Sequence, residues 1–367
     1  MLLYLANCKP GSYEQQPDKM SALSNLLQSH GKRNNIVLAP KGTLEEILDS
    51  PLYSYNDKRY ANDILSIRRE YAVLKEKLDY FGIIEFDSSS EKVVTNNGTY
   101  EVTVSYRHFT DPLNAGPTPI VTENSEDYKL YTSIGEFHSK FVARLSLNIN
   151  LRHILGAGSH SKSQFDSSSN IHPFLLCLVD NDKAHPNKGE GSTSSQFSKQ
   201  DRSTNCGRVA KVIDVREIES LIPKLVISEI FNIGSSDVID NLNEFMSLAI
   251  LDDRFRTFFD HKDGLNLKQA IELDNKHGEF WLPLLANITR FKNKECFAVK
   301  NCDGCLSCPK IEGLGNSLLS NANLNIENNN KHRFKSSLEL NLKGIWEELG
   351  SLIMTWGCIP NSKVTRS

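Results

Sequence analysis

The strongest constraint on the fold is a run of six apolar residues, Phe174–Val179, that ends in Asp180-Asn181-Asp182. A strand that is apolar on both faces has to be covered on both faces, which is typical of a parallel sheet packed between helices. Strand and helix patterns alternate around this run: a strand is predicted at Pro119–Thr122, a helix at Ser125–Leu145, and a further strand at Val212–Val215 that leads directly into a helix. We therefore predict an α/β fold whose central parallel sheet carries helices on both faces.

Changes in composition divide the chain into three predicted segments. Asp111–Thr118 contains two prolines and a glycine, which is typical of a linker, so a first α+β segment is predicted over residues 1–112. The α/β domain is predicted over 113–235. The remainder, 236–367, is predicted to be mostly helical and to close with an amphipathic helix at Leu338–Trp356.

Local patterns refine the outer segments. In the first, apolar residues at helical spacing over Tyr60–Leu78 precede a strand at Phe81–Phe86 and a hairpin turn at Asn96-Asn97-Gly98. Helix, strand and hairpin in this order are compatible with a winged helix, although other α+β folds share the order. In the last segment, the Asn-rich stretch Asn316–Asn330 predicts a surface loop.

The charge balance excludes one class of protein. Lysine and arginine number 42 and aspartate and glutamate 45, a formal net charge of −3, so the chain is not a uniformly basic, histone-like binder. No apolar run approaches the roughly 18–20 residues of a membrane helix. Met1–Cys8 lacks the basic start of a signal peptide. We expect a cytoplasmic protein with reduced thiols and no membrane partner.

Carboxylates stand directly after two of the predicted strands. Glu123 follows the first, and Asp180 and Asp182 follow the buried one, on a common face because residues i and i+2 of an extended chain point the same way. In open α/β sheets, ligands bind at this carboxyl edge. Carboxylates brought together repel one another, and Mg²⁺, which accepts carboxylate oxygens, removes that repulsion. Taken singly, an Asp-Asn-Asp turn and a helix start at Asn-Ser-Glu-Asp are ordinary structural features.

The two motifs together resemble those of the Toprim domain, which occurs in topoisomerases, primases, small RNA-maturing nucleases and OLD-type nucleases. Val-Thr-Glu123-Asn-Ser-Glu-Asp127 is similar to the first motif, a strand that ends in Glu, with a second acid four residues later. Leu-Cys-Leu-Val-Asp180-Asn-Asp182 is similar to the second motif. The resemblance covers about residues 115–235, and Asn124 stands where the family usually has Gly.

A third stretch, Val215–Pro223, is similar to the Arg-Glu-Ile-Glu segment of OLD-like and phage-defence Toprim proteins. Its candidate residues are Glu217 and Glu219, which as acids in the first turn of a helix would also favour the helix dipole. The resemblance implies a central Toprim-like sheet and a Mg²⁺- or Mn²⁺-dependent reaction at a phosphodiester bond. It assigns the metal to Glu123, Asp180 and Asp182, with assistance from Asp127 and from Glu217 or Glu219.

Hydrolysis of DNA or RNA is the simplest activity that the resemblance implies. No segment of the sequence indicates the tyrosine nucleophile of a topoisomerase or the template site of a primase. The likeness to phage-defence proteins implies an effector of an antiviral defence system. Because the chain has no GxxxxGK[ST] phosphate loop, an ATPase or sensor of such a system would have to be a separate chain.

Basic residues flank the acids along the sequence. Four Lys or Arg and no acid lie between Ser139 and Lys162, and six Lys or Arg against two acids lie between Lys183 and Val212. Cations of this kind hold a phosphodiester backbone, and Lys183, directly after Asp182, is predicted to steady the phosphate. For any single lysine, a solvated surface position is the plainer interpretation.

Four cysteines fall within thirteen residues: Cys296, Cys302, Cys305 and Cys308. In a reducing compartment this density favours a metal site, and four thiolates around a structural Zn²⁺ are the first interpretation. The spacing of the last three also matches the start of a ferredoxin-type run, and unmetallated or redox-active thiols stay open as well. Because three cysteines at this spacing crowd a tetrahedron, Cys206 or His332 could supply a ligand instead.

Two rival functions follow from the same residues. The chain could be a non-catalytic, zinc-containing protein that binds nucleic acid or a protein partner, with the acids serving as helix caps. It could also be a phosphotransfer or nucleotide-processing enzyme that uses the same acids. The nuclease is the function that we predict.

Overall fold

The computed structural model describes residues 1–203, 207–232, 235–302, 307–329 and 338–361. The chain divides into two compact units. Unit 1 comprises 1–178, 197–211 and 346–367, and unit 2 comprises 179–196 and 212–345. These units differ from the predicted segments, since residue 112 lies inside unit 1 and the last residues of the chain also belong to it. Composition along the chain does not report which distant segments complete a common core.

The first sheet of unit 1 has five strands in the order β2-β1-β3-β5-β4. They are β1 (Leu2–Ala6), β2 (Ile36–Leu38), β3 (Tyr80–Glu85), β4 (Lys92–Asn96) and β5 (Thr99–Ser105). β1 pairs in parallel with both β2 and β3, and β3 pairs in parallel with β5. β4 and β5 form the predicted hairpin, with Asn97 and Gly98 at φ of 49° and 86° as a tight turn of this hand requires.

Three helices connect these strands: α1 (Pro17–Gly31), α2 (Lys41–Asp49) and α3 (Tyr55–Ala72). α3 begins at a capping box in which Ser54 and Asp57 exchange side-chain and backbone hydrogen bonds. The segment is therefore a largely parallel α/β sheet, in place of the winged helix that one interpretation suggested. The difference arises at β1, whose short apolar sequence is buried between two strands that lie far along the chain.

The second sheet has the strand order β10-β9-β6-β8. Its strands are β6 (Thr118–Thr122), β8 (Leu151–Leu155), β9 (Leu175–Val179) and β10 (Arg208–Val212), and the helices α4 (Ser125–Phe137) and α5 (Ser161–Ser169) belong to the same stretch of chain. β6 pairs in parallel with both β8 and β9. Every residue of β9 is buried, as its apolar run predicts. The mixed α/β class, with parallel sheets flanked by helices, is thus confirmed.

Two predictions near the third motif are wrong in their boundaries. The strand predicted at Val212–Val215 is β10, which ends at Val212 instead of beginning there. The predicted helix from Arg216 is a short 3₁₀ helix at Ile218–Leu221, and α6 (Lys224–Phe231) begins only after Pro223. The residue before a proline is disfavoured in the α-helical region, so the helix cannot run through this position.

The end of the chain completes unit 1. β13 (Cys358–Pro360) pairs antiparallel with β7 (Leu147–Ile149), and α14 (Leu340–Gly357) is the predicted closing helix. From β13, Cys358 packs in one buried cluster with residues of the first sheet. In α14, Trp356 stacks on Tyr80 of β3 with ring centroids 5.0 Å apart. Trp356 is buried.

Unit 2 is mostly helical, as predicted. It holds α6, α7 (Ser236–Leu251), α8 (Phe255–Phe258), α9 (Leu267–His277), α10 (Trp281–Leu285), α11 (Thr289–Lys292), α12 (Glu295–Val299) and α13 (Leu318–Asn328), with a small antiparallel pair of β11 (Gly264–Asn266) and β12 (Lys310–Glu312). Its core contains edge-on contacts of Phe255 with Trp281 and with Phe245.

The Asn-rich stretch was wrongly predicted to be a surface loop. α13 lies within it and buries Leu318, Leu319, Ala322 and Ile326, which recur at helical spacing among the asparagines. The prediction of a loop was based on the high asparagine content and did not take the helical spacing of these apolar residues into account. Among the residues that the structure describes, each helix is too short or too polar to cross a membrane.

Candidate functional site

The Asp-Asn-Asp turn after β9 is joined by backbone hydrogen bonds to the third motif, within unit 2. The Asn181 amide donates to the carbonyl of Val215, and the Asp182 amide donates to that of Arg216, both at 3.1 Å. The Asp180 carboxylate accepts a hydrogen bond from the Ile218 amide at 2.9 Å. The second and third motifs, 35 residues apart in the sequence, are therefore side by side, as the hypothesis of a common site requires.

Asp182 occupies a strained position in this turn. Its φ is 54°, in the left-handed region that a non-glycine residue rarely adopts. A Cβ placed on Gly191 would lie 2.2 Å from the Cβ of Asp182, so a side chain at position 191 would displace the aspartate. Desolvation raises the pKa of Asp182, and the neighbouring charge of Glu217 raises it further. The positive charges of Arg216 and Lys188 act to lower the pKa of Asp182. Backbone strain of this kind is common at functional sites.

The charges of the third motif are matched by a segment that sequence analysis did not single out, Asp260-His261-Lys262. Arg216 forms an ion pair with Asp260 at 2.6 Å, and Glu219 forms one with Lys262 at 3.1 Å. Between them, Glu217 accepts hydrogen bonds from both the backbone amide and the Nδ1–H of His261. The complementary order of signs, Arg-Glu-x-Glu against Asp-His-Lys, is the signal that could have found this segment.

The two glutamates differ in their ionisation because their surroundings differ. Burial opposes the charge of Glu217, but the hydrogen bonds from His261 outweigh it and lower the pKa of Glu217 below its usual value. Burial and the neighbouring Glu217 raise the pKa of Glu219, although Lys262 acts against them. Glu219 Oε2 is buried and accepts no hydrogen bond within the described residues. Of the two glutamates, Glu217 is therefore the one whose surroundings favour the ionised form.

A pH-dependent stability follows from the lowered pKa of Glu217. The stabilising contribution of the Glu217 carboxylate is fully present at pH values above the usual glutamate pKa of 4.5. It is lost as the pH falls through the lower pKa of Glu217 in the folded state. We expect Glu217→Gln to lower the free energy of unfolding by about 1.5–3 kcal/mol at pH 7, since hydrogen bonds to a charged group are lost. The difference from the wild type should shrink as the pH falls below 4.5. Chemical denaturation at a series of pH values measures it.

The matched control is Glu312→Gln, at an exposed glutamate of unit 2. Its unfolding free energy should stay near that of the wild type across the same pH range. A deficit of Glu217→Gln that stayed constant down to pH 3 would show that the charge of Glu217 does not stabilise the fold.

Glu123, the first predicted metal ligand, follows β6 in unit 1. Its side chain is exposed, and its backbone carbonyl accepts a hydrogen bond from Ala157 at 3.0 Å. The preceding Thr122 hydroxyl donates to the Asn124 carbonyl and accepts from His153 Nε2, at 2.8 and 2.9 Å, which holds the turn that presents Glu123. Because β6 and β9 are parallel neighbours, Glu123 follows its strand at the edge of the sheet where β9 also ends.

Asp127 serves as a helix cap, which is the structural role that the sequence also allowed. Its carboxylate accepts a hydrogen bond from the Asn124 amide at 3.2 Å, while the Asn124 side chain accepts from the amides of Glu126 and Asp127. This capping box starts α4. It also gives a reason for Asn at position 124, where the Toprim motif that this segment resembles usually has Gly: Asn caps the helix with its side chain.

The predicted basic residues are in varied environments. Lys183 is half-buried, and its amide donates to Asn181 Oδ1 at 2.9 Å, so the residue belongs to the same turn as the acids. Lys162 is ion-paired with Asp166 and Asp201 in unit 1. Arg152 contacts His172 Nε2 at 2.7 Å. Of the three, Lys183 is the one that belongs to the Asp-Asn-Asp turn, and its contact with a phosphate stays a prediction.

The cysteine cluster is described only in part. Cys296, Cys302 and Cys308 are partly exposed, and the sulfur of Cys308 accepts a hydrogen bond from the Lys268 amide at 3.4 Å. Cys305 lies outside the described residues, as do the alternative ligands Cys206 and His332. The predicted zinc site therefore stays a prediction.

Within the described part of the chain, no group of three or more His, Cys, Asp or Glu side chains is arranged to hold a metal ion. A Mg²⁺ site does not need three such side chains, because Mg²⁺ in phosphate chemistry is commonly held by one or two carboxylates together with substrate phosphates and waters. Comparison of the chain with models of protein families, with curated proteins and with solved structures found no match. The resemblance to the Toprim domain therefore rests on the three short motifs.

Proposed function

We propose that the chain is a Mg²⁺-dependent nuclease that hydrolyses phosphodiester bonds in DNA or RNA, with its acids at Asp180, Asp182 and Glu123. The observation that carries the proposal is the hydrogen bonding of the Asp-Asn-Asp turn to residues 215–218, which brings the acids of two motifs together in unit 2. Further support comes from the parallel pairing of β6 and β9, which end at the same edge.

The donor chemistry of the turn fits a hard cation. Asp180 and Asp182 supply carboxylate oxygens, the ligands that Mg²⁺ and Mn²⁺ prefer, and Glu123 would be a third. When bound, such an ion polarises a phosphoryl oxygen and lowers the pKa of a coordinated water. Lys183 would hold a non-bridging phosphate oxygen. Glu217, which is held by His261, would position the turn through the same hydrogen-bonded segment.

The defence role and its partners belong to the same proposal. An effector nuclease has to be restrained until infection, and a chain without a phosphate loop of its own would take that control from a separate ATPase or sensor chain. The resemblance of residues 215–223 to phage-defence proteins is what supports this part.

The direct test is a cleavage assay with four substrates, namely single- and double-stranded DNA and RNA, with Mg²⁺, with Mn²⁺ and with a chelator. We expect cleavage of at least one substrate with Mg²⁺ or Mn²⁺ and none with the chelator. Free nucleoside triphosphates are assayed in parallel. Consumption of these with all four polymers left intact would favour the nucleotide-processing enzyme, and binding of a polymer without cleavage would favour the non-catalytic protein.

A further inference from the structure

A basic pocket opens in unit 2 beside the acidic turn. Its volume is about 330 Å³, at the lower end of the range for small-molecule sites. Its cations are Lys188, Arg216 and Lys276, with His277 beside them, and its apolar wall includes Leu265 and Leu273. The pocket thus combines a positive rim with a small apolar surface.

One face of α9 forms a wall of this pocket. Gln269, Glu272, Leu273 and Lys276 all line it, and their spacing of three and four residues places them on one side of the helix. Lys276 and His277 stand in the last turn, where basic residues also stabilise the helix dipole. The case for a ligand therefore depends on the cations that come from other segments, Lys188 and Arg216.

Lys188 is held in place by the loop that follows the Asp-Asn-Asp turn. The buried His185 donates through Nε2 to the carbonyl of Gly278 at 2.8 Å, and Asn187 donates to that of His277, also at 2.8 Å. The Lys188 amide in turn donates to the carbonyl of His185 at 3.0 Å. These bonds fasten the loop to the end of α9, so Lys188 is positioned at the pocket before any ligand arrives.

The charges at the pocket are only partly compensated. Arg216 is paired with Asp260. Glu272, which lines the pocket, lies 3.9 Å from Lys268, which does not line it. Lys188 and Lys276 have no ion-pair partner among the described residues. Desolvation lowers the pKa of His277, and the neighbouring Lys276 and Lys188 lower it further, as expected of an electropositive site. An anion would relieve this repulsion.

We propose that the pocket binds a single nucleotide, with its phosphate between Lys188 and Lys276 and its base against Leu265 and Leu273. A compact site with two unpaired lysines and an apolar wall suits a ligand that carries both a phosphate and a flat apolar group. The choice of a nucleotide among phosphate-bearing molecules rests on the proposed nuclease function. The nucleotide is either free or the 5′ end of a strand. In the second case the next phosphate lies toward Asp182, since Lys188 and Arg216 line the pocket and also interact electrostatically with Asp182.

The test is equilibrium binding to the full chain in the presence of a chelator, so that no metal-dependent step contributes. The probes are a nucleoside 5′-monophosphate, the same nucleoside without phosphate, and a 5′-phosphorylated single-stranded oligonucleotide. We expect the monophosphate to bind at least tenfold more tightly than the nucleoside. Competition separates the two sources: an oligonucleotide displaced by the monophosphate identifies a strand end, and an oligonucleotide that does not bind identifies a free nucleotide.

The variant Lys188→Ala/Lys276→Ala should weaken binding of the monophosphate at least tenfold. Lys268→Ala is the matched control, since Lys268 lies on α9 but does not line the pocket, and its affinity should equal that of the wild type. Asp180→Asn should also keep the wild-type affinity, so loss of cleavage and loss of binding can be told apart. Unchanged affinity in the double variant, or equal binding of nucleoside and nucleotide, would overturn the proposal.

Discussion

Asp180→Asn should reduce the rate of metal-dependent nucleic-acid cleavage by roughly 100-fold or more. The loss of residues that merely support a metal ligand costs about 10–100-fold, so the loss of a ligand should cost more. The substitution is conservative in shape, because asparagine keeps an oxygen that can accept the hydrogen bond from the Ile218 amide. Initial rates with saturating Mg²⁺, measured on the polymer that the wild type cleaves, give the effect.

Asp253→Asn is the control for this experiment. It makes the same chemical change at an exposed aspartate of unit 2 that belongs to none of the three motifs, and it should keep the wild-type rate. Circular dichroism should give the same spectrum for both variants. An Asp180→Asn protein that folds normally and cleaves at the wild-type rate would contradict the proposed site, and cleavage shared by all preparations would identify a contaminant.

Arg256→Met should lower the free energy of unfolding by about 3–5 kcal/mol, the usual cost of removing one partner from a buried ion pair. Arg256 is only 2% exposed and lies 3.0 Å from Glu339. Its guanidinium also donates to the carbonyls of Ser220 and Ile222, which belong to the third motif. Methionine has a similar length but leaves the carboxylate of Glu339 and both carbonyls without these donors. Chemical denaturation followed by circular dichroism measures the loss.

Arg254→Met is the matched control, two residues away on the same part of the chain. The Arg254 side chain is 60% exposed, and its pairing with Asp252 is a surface ion pair, so we expect a change below about 1 kcal/mol. Equal losses of unfolding free energy in the two variants would mean that the buried Arg256–Glu339 pair does not stabilise residues 220–222. A loss of unfolding free energy in Arg256→Met but not in Arg254→Met would show that the buried contacts of Arg256 stabilise the third motif.

The elements that sequence analysis predicted well are those that depend on near neighbours. The buried run of β9, the hairpin turn at Asn97-Gly98 and the closing helix α14 follow from periodicity and turn chemistry over a few residues. The errors have a different origin. β1 was overlooked because its five residues carry no turn signal, and α13 was mistaken for a loop because seven asparagines over residues 316–330 outnumber the four apolar residues of its stripe.

The candidate site divides in the same way. The acids at 123, 180 and 182 could be proposed from the sequence because each directly follows a strand, and Asp127 could equally be predicted as a cap. The pairing of residues 216–219 with 260–262, and the pocket around Lys188, could not be proposed. Each joins segments tens of residues apart, and a charged residue in a sequence does not indicate which distant charge will neutralise it.

By itself, the amino-acid order determined where strands and helices form and which acids terminate the strands, because hydrophobic period and turn preference act over one or two turns of chain. Tertiary structure alone decided that Glu219 pairs with Lys262, which lysines line the pocket of unit 2, and that the final strand returns to complete unit 1. These outcomes depend on packing between remote segments, where the electrostatic environment of each side chain is set by residues that are neighbours only after folding.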